Sequence, residues 1–200
     1  MIPAHPMLSE RFERIQAAYA AQRPGWNLAL TCTSRTLAEQ QAAFKSRKSS
    51  LDGVRRWSLH QYRVYPMALD VAVVMPNNKF SWDFDDYRLY GELAEADGLT
   101  WGGSWERLRD GPHIELQPRD RVRALQMALK DKGYDPGTVD GLDGPKTQAA
   151  LRAAEADLRR SLPSLPTTIR PHWPHPDLWL WLHRYGEAMI GQSTGLRVSA

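Results

Sequence analysis

Cysteine is almost absent from this sequence. Among its 200 residues there is one cysteine, Cys32, so the chain cannot form an internal disulfide. Closed structural zinc sites usually depend on several thiolates, and the sequence cannot supply them. A single cysteine also favours folding in a reducing compartment.

Long apolar runs are lacking too. No run reaches the roughly 18 residues of a membrane-spanning helix, so we predict no stable membrane insertion. The N-terminal segment MIPAHPMLSERFERIQ has no basic region followed by an apolar core, and we therefore expect no Sec-type signal peptide. We accordingly expect synthesis and initial retention in the cytoplasm.

Excess charge of one sign is small. The formal net charge is +3, with 42% hydrophobic and 24% charged residues, which is an ordinary globular composition with room for one domain or two small ones. Mild basicity suits anionic partners such as cell-wall polymers, outer-membrane lipids or nucleic acid. Because nothing else points to nucleic acid, we predict no such partner.

Residues 57–74 combine Ser58, His60 and Asp70 with an apolar run that begins at Met67 and is typical of a buried strand. Burying an ionised carboxylate is costly unless a positive group meets it. A metal ion, a buried arginine or a helix N-terminus would each serve. This stretch alone therefore leaves the partner of Asp70 open.

Residues 101–116, WGGSWERLRDGPHIEL, add Asp110 and His113. With His60 and Asp70, His113 completes a set of two histidines and one carboxylate, the composition of an open catalytic zinc site. Zinc lowers the pKa of a bound water to about 7 and polarises a carbonyl, while a nearby carboxylate moves the proton. Asp110 is the candidate for that carboxylate.

The two stretches carry a family resemblance. Ser58-Leu59-His60 followed by Ala68-Leu69-Asp70 resembles the first zinc motif, S-x-H…A-x-D, of the D-alanyl-D-alanine carboxypeptidases and L-alanyl-D-glutamate endopeptidases, and DGPHIEL resembles the second. The resemblance implies Zn²⁺ on the two histidines and Asp70, with Asp110 as general base. The ten positions from His60 to Asp70 exceed the family's usual spacing, so we expect a longer connecting loop.

A third element is TSRTLAEQQAAF, which is similar to the family's G-Y-R-S…Q…L-Y segment, with Arg35 and Gln40 at the matching positions. An arginine at a strand-to-helix junction can stabilise an oxyanion or grip a carboxylate, so Arg35 is a predicted catalytic residue. Gln40 is predicted to orient backbone or substrate. The remaining predicted substrate-binding residues are Ser58, Trp101 and Trp105, although tryptophans are also common in cores.

Periodicity and punctuation predict the local structure. Helices are expected over residues 8–23, 37–44 and 85–99, strands over 27–33 and 67–74, a cleft-rim loop over 45–54 and a turn over 76–83.

The sequence changes character after Pro118. Residues 119–160 read as two helices around a Gly/Asp-rich loop, which is compatible with a hairpin that extends the core; a calcium loop fits less well, because the spacing differs from an EF-hand. The segment closely resembles the helical peptidoglycan-binding module, with consensus matches at Leu125, Gln126, Leu129, Gly133, Tyr134, Gly137, Asp140, Gly141, Gly144, Thr147 and Ala150. Its usual aromatic-Gln ending is replaced by Ala154-Glu155.

The tail is predicted as a proline-rich linker over 161–176 and an amphipathic helix over 177–190. This helix is expected to complete the binding module or to lie across the catalytic domain rather than to contact a membrane. His172 and His175, flanked by prolines, are predicted to be loop residues and not a second metal site.

We therefore predict an α+β zinc peptidase domain over 1–117, with a central antiparallel sheet flanked by helices, an all-α peptidoglycan-binding module over 118–160, and a tail of undetermined role. The predicted function is that of a monomeric L-alanyl-D-glutamate endopeptidase of the phage endolysin type, an antimicrobial hydrolase that reaches the cell wall through a holin lesion or a secretion machine. The alternatives are a D-alanyl-D-alanine carboxypeptidase and a non-catalytic wall-binding or virion protein.

Overall fold

The computed structural model describes residues 2–164 and 174–183. Its first part is built on an antiparallel sheet in the order β1-β2-β5-β4, and β3 shares with β5 the edge of β2 that faces away from β1. The strands are β1 Asn27–Cys32, β2 Ala68–Val74, β3 Phe80–Ser81, β4 Leu99–Trp101 and β5 His113–Leu116. An α+β fold with a central antiparallel sheet is therefore confirmed.

Helices pack around this sheet, and along the chain they precede, separate and follow its strands. They are α1 Pro6–Gln22, α2 Leu37–Lys45, α3 Arg88–Ala96, α4 Pro118–Lys132, α5 Pro145–Arg159 and α6 Pro176–Leu182, with 3₁₀ turns at Leu59–Gln61, Phe84–Tyr87 and Gly102–Ser104. Of the helices in the described ranges, none is long and apolar enough to span a membrane.

The core is formed by one face of α1 against the sheet and α3. The buried residues of α1 are Leu8, Phe12, Ile15 and Tyr19, whose spacing of three and four places them on a single stripe of the helix. Along β2, Leu69, Val71 and Val73 belong to the same apolar core. Each such side chain, when fully buried, contributes on the order of 1.5–3 kcal/mol to the free energy of unfolding.

The predicted helix over 85–99 is wrong in part. The segment divides into a 3₁₀ turn, α3 and the start of β4, because Gly98 adopts a positive φ of 75° just after the helix and Leu99 then enters the sheet. The predicted turn over 76–83 likewise contains the two residues of β3. Both strands are too short for alternation of apolar residues to reveal them.

Helices α4 and α5 form a hairpin whose loop is held by Gln126. Its Nε2 donates to Leu142 O at 3.0 Å and to Thr147 Oγ1 at 3.0 Å, while its Oε1 accepts from Gly141 N at 2.8 Å. Helix α4 ends at Gly133, which has a left-handed φ of 102°. These consensus residues therefore act within the hairpin, by closing its loop and ending its first helix.

Helix α6 packs on α4 and α5 and also on the first part of the chain. Trp179 Nε1 donates to Val64 O at 2.7 Å, and Tyr62 Oη donates to Pro174 O at 2.6 Å. The helix therefore makes both of the predicted contacts, with the hairpin and with the first part of the chain. His175 caps α6; His172 and residues 184–190 lie outside the described residues.

Candidate active site

The register of the sheet brings two predicted metal ligands together. Asp70 of β2 is paired with His113 of β5 on one side and with Cys32 of β1 on the other. Directly paired residues on neighbouring strands present their side chains on the same face of the sheet. Asp70 and His113 are therefore neighbours although 43 positions separate them.

The third predicted ligand, His60, is placed by a capped 3₁₀ turn. Ser58 Oγ accepts from His60 N at 3.3 Å, and Ser58 N donates to Gln61 Oε1 at 2.8 Å. The backbone of the turn is also tied to the end of β1, because Arg35 N donates to His60 O at 2.7 Å. Ser58, predicted to bind substrate, lines the cleft and also positions His60.

The three donor atoms form a small triangle. His60 Nε2 lies 3.2 Å from His113 Nδ1 and 3.3 Å from Asp70 Oδ1, and His113 Nδ1 lies 3.0 Å from Asp70 Oδ1. Donors bound at zinc distances in a tetrahedron lie roughly 3.3 Å from one another. The spacing of these atoms therefore fits a tetrahedral metal ion.

Both imidazoles have an acceptor at the nitrogen that faces away from the triangle. His60 Nδ1 lies 3.1 Å from Thr33 O, and His113 Nε2 lies 3.2 Å from Glu115 Oε2. If each outer nitrogen carries its proton toward that acceptor, both inner nitrogens present lone pairs to Asp70 Oδ1. Three converging lone pairs repel one another, and a cation at their centre relieves this repulsion.

Opposing effects set the pKa values at the triangle. Burial alone would raise the pKa of Asp70, but the charges and hydrogen bonds of His60 and His113 outweigh it and hold that pKa well below its ordinary value. Burial would lower the pKa of His113, but its bonds to Asp70 and Glu115 raise it to about 10.

Asp110, the predicted general base, lies beside the triangle. One of its oxygens, Asp70 and a nitrogen of His113 all lie within 4.8 Å of one another. Burial raises the pKa of the Asp110 carboxyl and outweighs the nearby positive charges, which lower that pKa. A Cβ at Gly102 would meet Asp110 O at 2.7 Å, which accounts for a glycine at that point of the WGG turn.

Arg35 is paired with Asp70. Its Nη2 lies 2.7 Å from Asp70 Oδ2, the oxygen that does not face the histidines, and the arginine also lines the cleft. Of the partners that the sequence left open for Asp70, the arginine is therefore present, and the histidines beside Asp70 offer the donors for another, a metal ion.

The triangle opens into a cleft of about 860 Å³. Residues 48–51 of the predicted rim loop line it, as do Trp105, whose ring centroid lies 5.0 Å from that of His113, and Trp82. Trp82 is 62% exposed. Lys48 and Arg107 add positive charge at the same opening.

Two predicted substrate-binding residues lie outside the cleft lining. Gln40 is fully buried and donates to Ser49 Oγ and Leu51 O, so its position fits orientation of the rim backbone and not contact with substrate. Trp101 is 7% exposed, stacks on Phe84 and donates to Gly111 O, so it is a core residue. The prediction of substrate contact does not fit either position.

Sequence reasoning missed Glu115 and Trp82. Glu115 follows His113 by two positions on β5, so both side chains lie on the same face of the strand, while Ile114 and Leu116 enter the core. The alternation in HIEL carries this signal. Trp82 follows the short β3, which left no comparable pattern.

Comparison with known proteins gives two family matches and one similar curated protein. Residues 52–116 match a family model described as D-alanyl-D-alanine carboxypeptidase, and residues 118–159 match one described as putative peptidoglycan binding domain. The peptidoglycan L-alanyl-D-glutamate endopeptidase CwlK of Bacillus subtilis (strain 168) is 26% identical over 125 residues, 57% of this chain and 74% of that protein.

Among solved structures, the L-Ala D-Glu endopeptidase ChiX of Serratia marcescens is 27% identical, with 58% of this chain and 83% of that chain covered at a TM-score of 0.43. The first family match contains His60, Asp70, Asp110 and His113, whereas Arg35 precedes it. Two family models thus match neighbouring segments of this chain, one described as D-alanyl-D-alanine carboxypeptidase and the other as putative peptidoglycan binding domain.

Proposed function

We propose that this chain is a zinc-dependent peptidoglycan hydrolase that cleaves the stem peptide between L-alanine and D-glutamate. The observation that carries the proposal is the triangle of His60, Asp70 and His113 at an open cleft, with Asp110 beside it. The name of the relative CwlK and the match to a putative peptidoglycan binding domain support the substrate.

The proposed ligands of the metal are His60 Nε2, Asp70 Oδ1 and His113 Nδ1. Nitrogen and carboxylate donors at this spacing suit zinc, and three protein ligands leave a position for water or substrate. A bound zinc ion would polarise the scissile carbonyl and make water nucleophilic at neutral pH.

The other steps fall to residues of the chain. Asp110 is proposed to take the proton of the attacking water on its carboxylate and to deliver it to the leaving amine. Its raised pKa suits this exchange, because a base that must later act as an acid works best near the working pH. Arg35 is proposed to share the oxyanion charge, since a guanidinium has donors beyond the one that meets Asp70.

The cleft rim is proposed to hold the stem peptide. Lys48 and Arg107 offer cationic partners for its carboxylates, and Trp82 and Trp105 offer apolar faces for the remainder of the ligand. The α4–α5 hairpin would keep the enzyme on polymeric wall and so raise the local concentration of substrate. Action on the wall as a monomer, after a holin lesion or delivery by a secretion machine, is part of this proposal.

Purified protein incubated with peptidoglycan sacculi tests the proposal, with released fragments identified by mass spectrometry. We expect fragments with a new N-terminal D-glutamate. Their release should stop when a chelator is added and should resume when Zn²⁺ is restored. Wall binding without any cleavage would contradict the enzymatic function and leave a non-catalytic wall-binding protein.

A second candidate is D-alanyl-D-alanine carboxypeptidase activity, which the description of the matching family favours. The same digest separates the two activities, because the carboxypeptidase releases free D-alanine and creates no new N-terminus. A substrate with an amidated C-terminal D-alanine should still be cleaved by the endopeptidase but not by an enzyme that requires a free terminal carboxylate.

A further inference from the structure

Glu115 joins the candidate metal centre to the peptidoglycan-binding hairpin. One of its oxygens, Oε2, lies 3.2 Å from His113 Nε2, and the other, Oε1, lies 3.4 Å from Arg121 Nη1. The three side chains are 15%, 7% and 5% exposed for Glu115, His113 and Arg121 respectively. A continuous buried line of contacts therefore runs from a metal ligand to α4.

The contact on His113 controls which nitrogen can bind metal. When Nδ1 of His113 binds a metal, the single proton of the neutral ring must lie on Nε2, which faces the acceptor Glu115 Oε2. A carboxylate at this position fixes both the tautomer and the orientation of the ring, and it increases the basicity of the ligating nitrogen. Strand β5 holds the two side chains on the same face, because they are two positions apart.

The contact on Arg121 explains how Glu115 remains ionised there. A buried carboxylate is costly unless a positive charge compensates it, and His113 provides none once it serves as a neutral ligand. Arg121 supplies that charge from α4, within the segment that matches the peptidoglycan binding domain.

We propose that Glu115 and Arg121 are positioning residues of the metal centre, and that the first helix of the peptidoglycan-binding hairpin is therefore part of the scaffold of the peptidase site. The proposal rests on the proposed function only in that a metal binds to His60, Asp70 and His113. The hairpin then does more than hold the enzyme to the wall, because it helps to build the centre.

The test measures metal affinity and not turnover. Zinc affinity is measured by competition with a chromophoric chelator for the full chain, Glu115→Gln, Arg121→Met and Arg121→Lys, and the absorption spectrum of the Co²⁺ form reports the geometry of the ligands. Glu115→Gln is expected to bind zinc about 10–100-fold more weakly with an altered Co²⁺ spectrum. Arg121→Met should show a smaller loss, and Arg121→Lys should restore most of the affinity, because an ammonium can also meet the Glu115 oxygen that Arg121 Nη1 faces.

A matched control lies one residue away. Asp120 pairs with Arg11 at 2.6 Å, so this bridge also joins α4 to the peptidase part, but it does not touch a metal ligand. Asp120→Asn should lower the melting temperature of the metal-free protein and leave zinc affinity unchanged. Circular dichroism of each metal-free variant verifies that it is folded.

Wild-type zinc affinity in both Glu115→Gln and Arg121→Met would overturn the positioning role. An equal loss in Asp120→Asn would also overturn it, since the effect would then follow from general loosening of the two parts. If the unaltered chain binds no zinc, the proposed function fails as well, which separates that outcome from failure of this inference alone.

Discussion

Two carboxylates of the cleft illustrate how surroundings divide chemical roles between like residues. Burial would raise the pKa of Asp70, but His60 and His113 outweigh it and hold that pKa well below its ordinary value. At Asp110, by contrast, burial raises the pKa. A permanently ionised carboxylate suits a metal ligand, and one that exchanges its proton more easily suits a base. The divergence of the two pKa values therefore agrees with the roles proposed from the motifs.

Asp110→Asn removes the proposed base and keeps the size of the side chain. Cleavage of sacculi should fall by about 10²–10⁴-fold, the usual contribution of general acid–base catalysis, while zinc affinity stays near that of the parent. Release of new amino groups measures the first and chelator competition the second. Asp85→Asn, which alters an exposed carboxylate paired with Arg88, is the control and should retain activity. Unimpaired cleavage by Asp110→Asn would remove Asp110 from the mechanism.

Trp101 gives a prediction about stability at the same scale. A Cβ at Gly91 would overlap the Trp101 ring, so Gly91→Ala should destabilise the fold even though alanine is the better helix former. The expected loss is about 1–3 kcal/mol of unfolding free energy, measured by denaturant titration. Gly144→Ser places a preferred N-cap residue at the start of α5, where no atom lies within 4 Å of the new Cβ, and should cost no more than about 0.5 kcal/mol. Equal stability of the two variants would contradict the close packing of Trp101.

At the scale of elements, α1 and α6 begin in the same way. Each opens with a His-Pro pair in which the histidine Nδ1 accepts from a backbone N–H of the first turn: His5 from Met7 N at 3.3 Å and His175 from Asp177 N at 3.2 Å. The proline follows at the first helical position, where its missing N–H costs nothing. A histidine caps a helix in this way only while Nδ1 carries no proton.

These caps predict a loss of stability in acid. Burial lowers the pKa of His175 to about 4, and burial together with the charge of His183 lowers that of His5 to about 4 against the opposing effect of Asp120. The folded chain therefore binds fewer protons than the unfolded chain between pH 6.5 and pH 4. The stability that each neutral capping histidine contributes should be fully present above pH 6.5 and should decline toward pH 4, by roughly 3 kcal/mol for each histidine.

Unfolding free energy measured against pH in chelator tests this expectation. Asparagine is a good N-cap that does not titrate. His5→Asn and His175→Asn should each flatten the slope between pH 6.5 and pH 4, whatever their stability at pH 7. Unchanged slopes in both variants would show that other groups cause the acid dependence.

At the scale of the whole molecule, the tail connects the two functional parts. Trp179 and Pro174 bond to Val64 and Tyr62 in the loop between His60 and Asp70, while Lys132 Nζ of α4 donates to Trp181 O. The long loop between His60 and Asp70 thus supports the fold, because its residues form the surface on which α6 packs. The hairpin and the peptidase part share one apolar core through this helix.

Truncation of the central tail residue should therefore affect both parts. Trp179 is fully buried, and Trp179→Ala is expected to cost about 3–5 kcal/mol of unfolding free energy. Calorimetry should show one cooperative transition for the parent chain, shifted to lower temperature in the variant. Trp82→Ala removes an exposed tryptophan and serves as the control, with an unchanged melting temperature. Independent melting of the hairpin in the parent chain would contradict a shared core.

Local sequence patterns predicted several helices and strands and the residues of the candidate site. The spacing of Leu8, Phe12, Ile15 and Tyr19 predicted the buried face of α1, and the apolar run around Asp70 predicted a buried strand. Of the residues that the motifs assigned to metal binding, Asp70 and His113 are brought together by the sheet register, and His60 is placed beside them by a 3₁₀ turn. Such features are local in the chain, or are carried by short motifs, so one sequence is enough to reveal them.

The sequence by itself determined the residue types available for chemistry, the change of character after Pro118 and most of the helices. Only the tertiary structure decided that Trp101 packs in the core, that Gln40 supports the rim, and that Glu115 meets Arg121 of the hairpin. The reason is physical: periodicity reports which face of an element is apolar, but contacts between distant segments depend on how those faces pack together. The hydrogen bond from Trp179 to Val64, 115 positions away, is not revealed by any local sequence pattern.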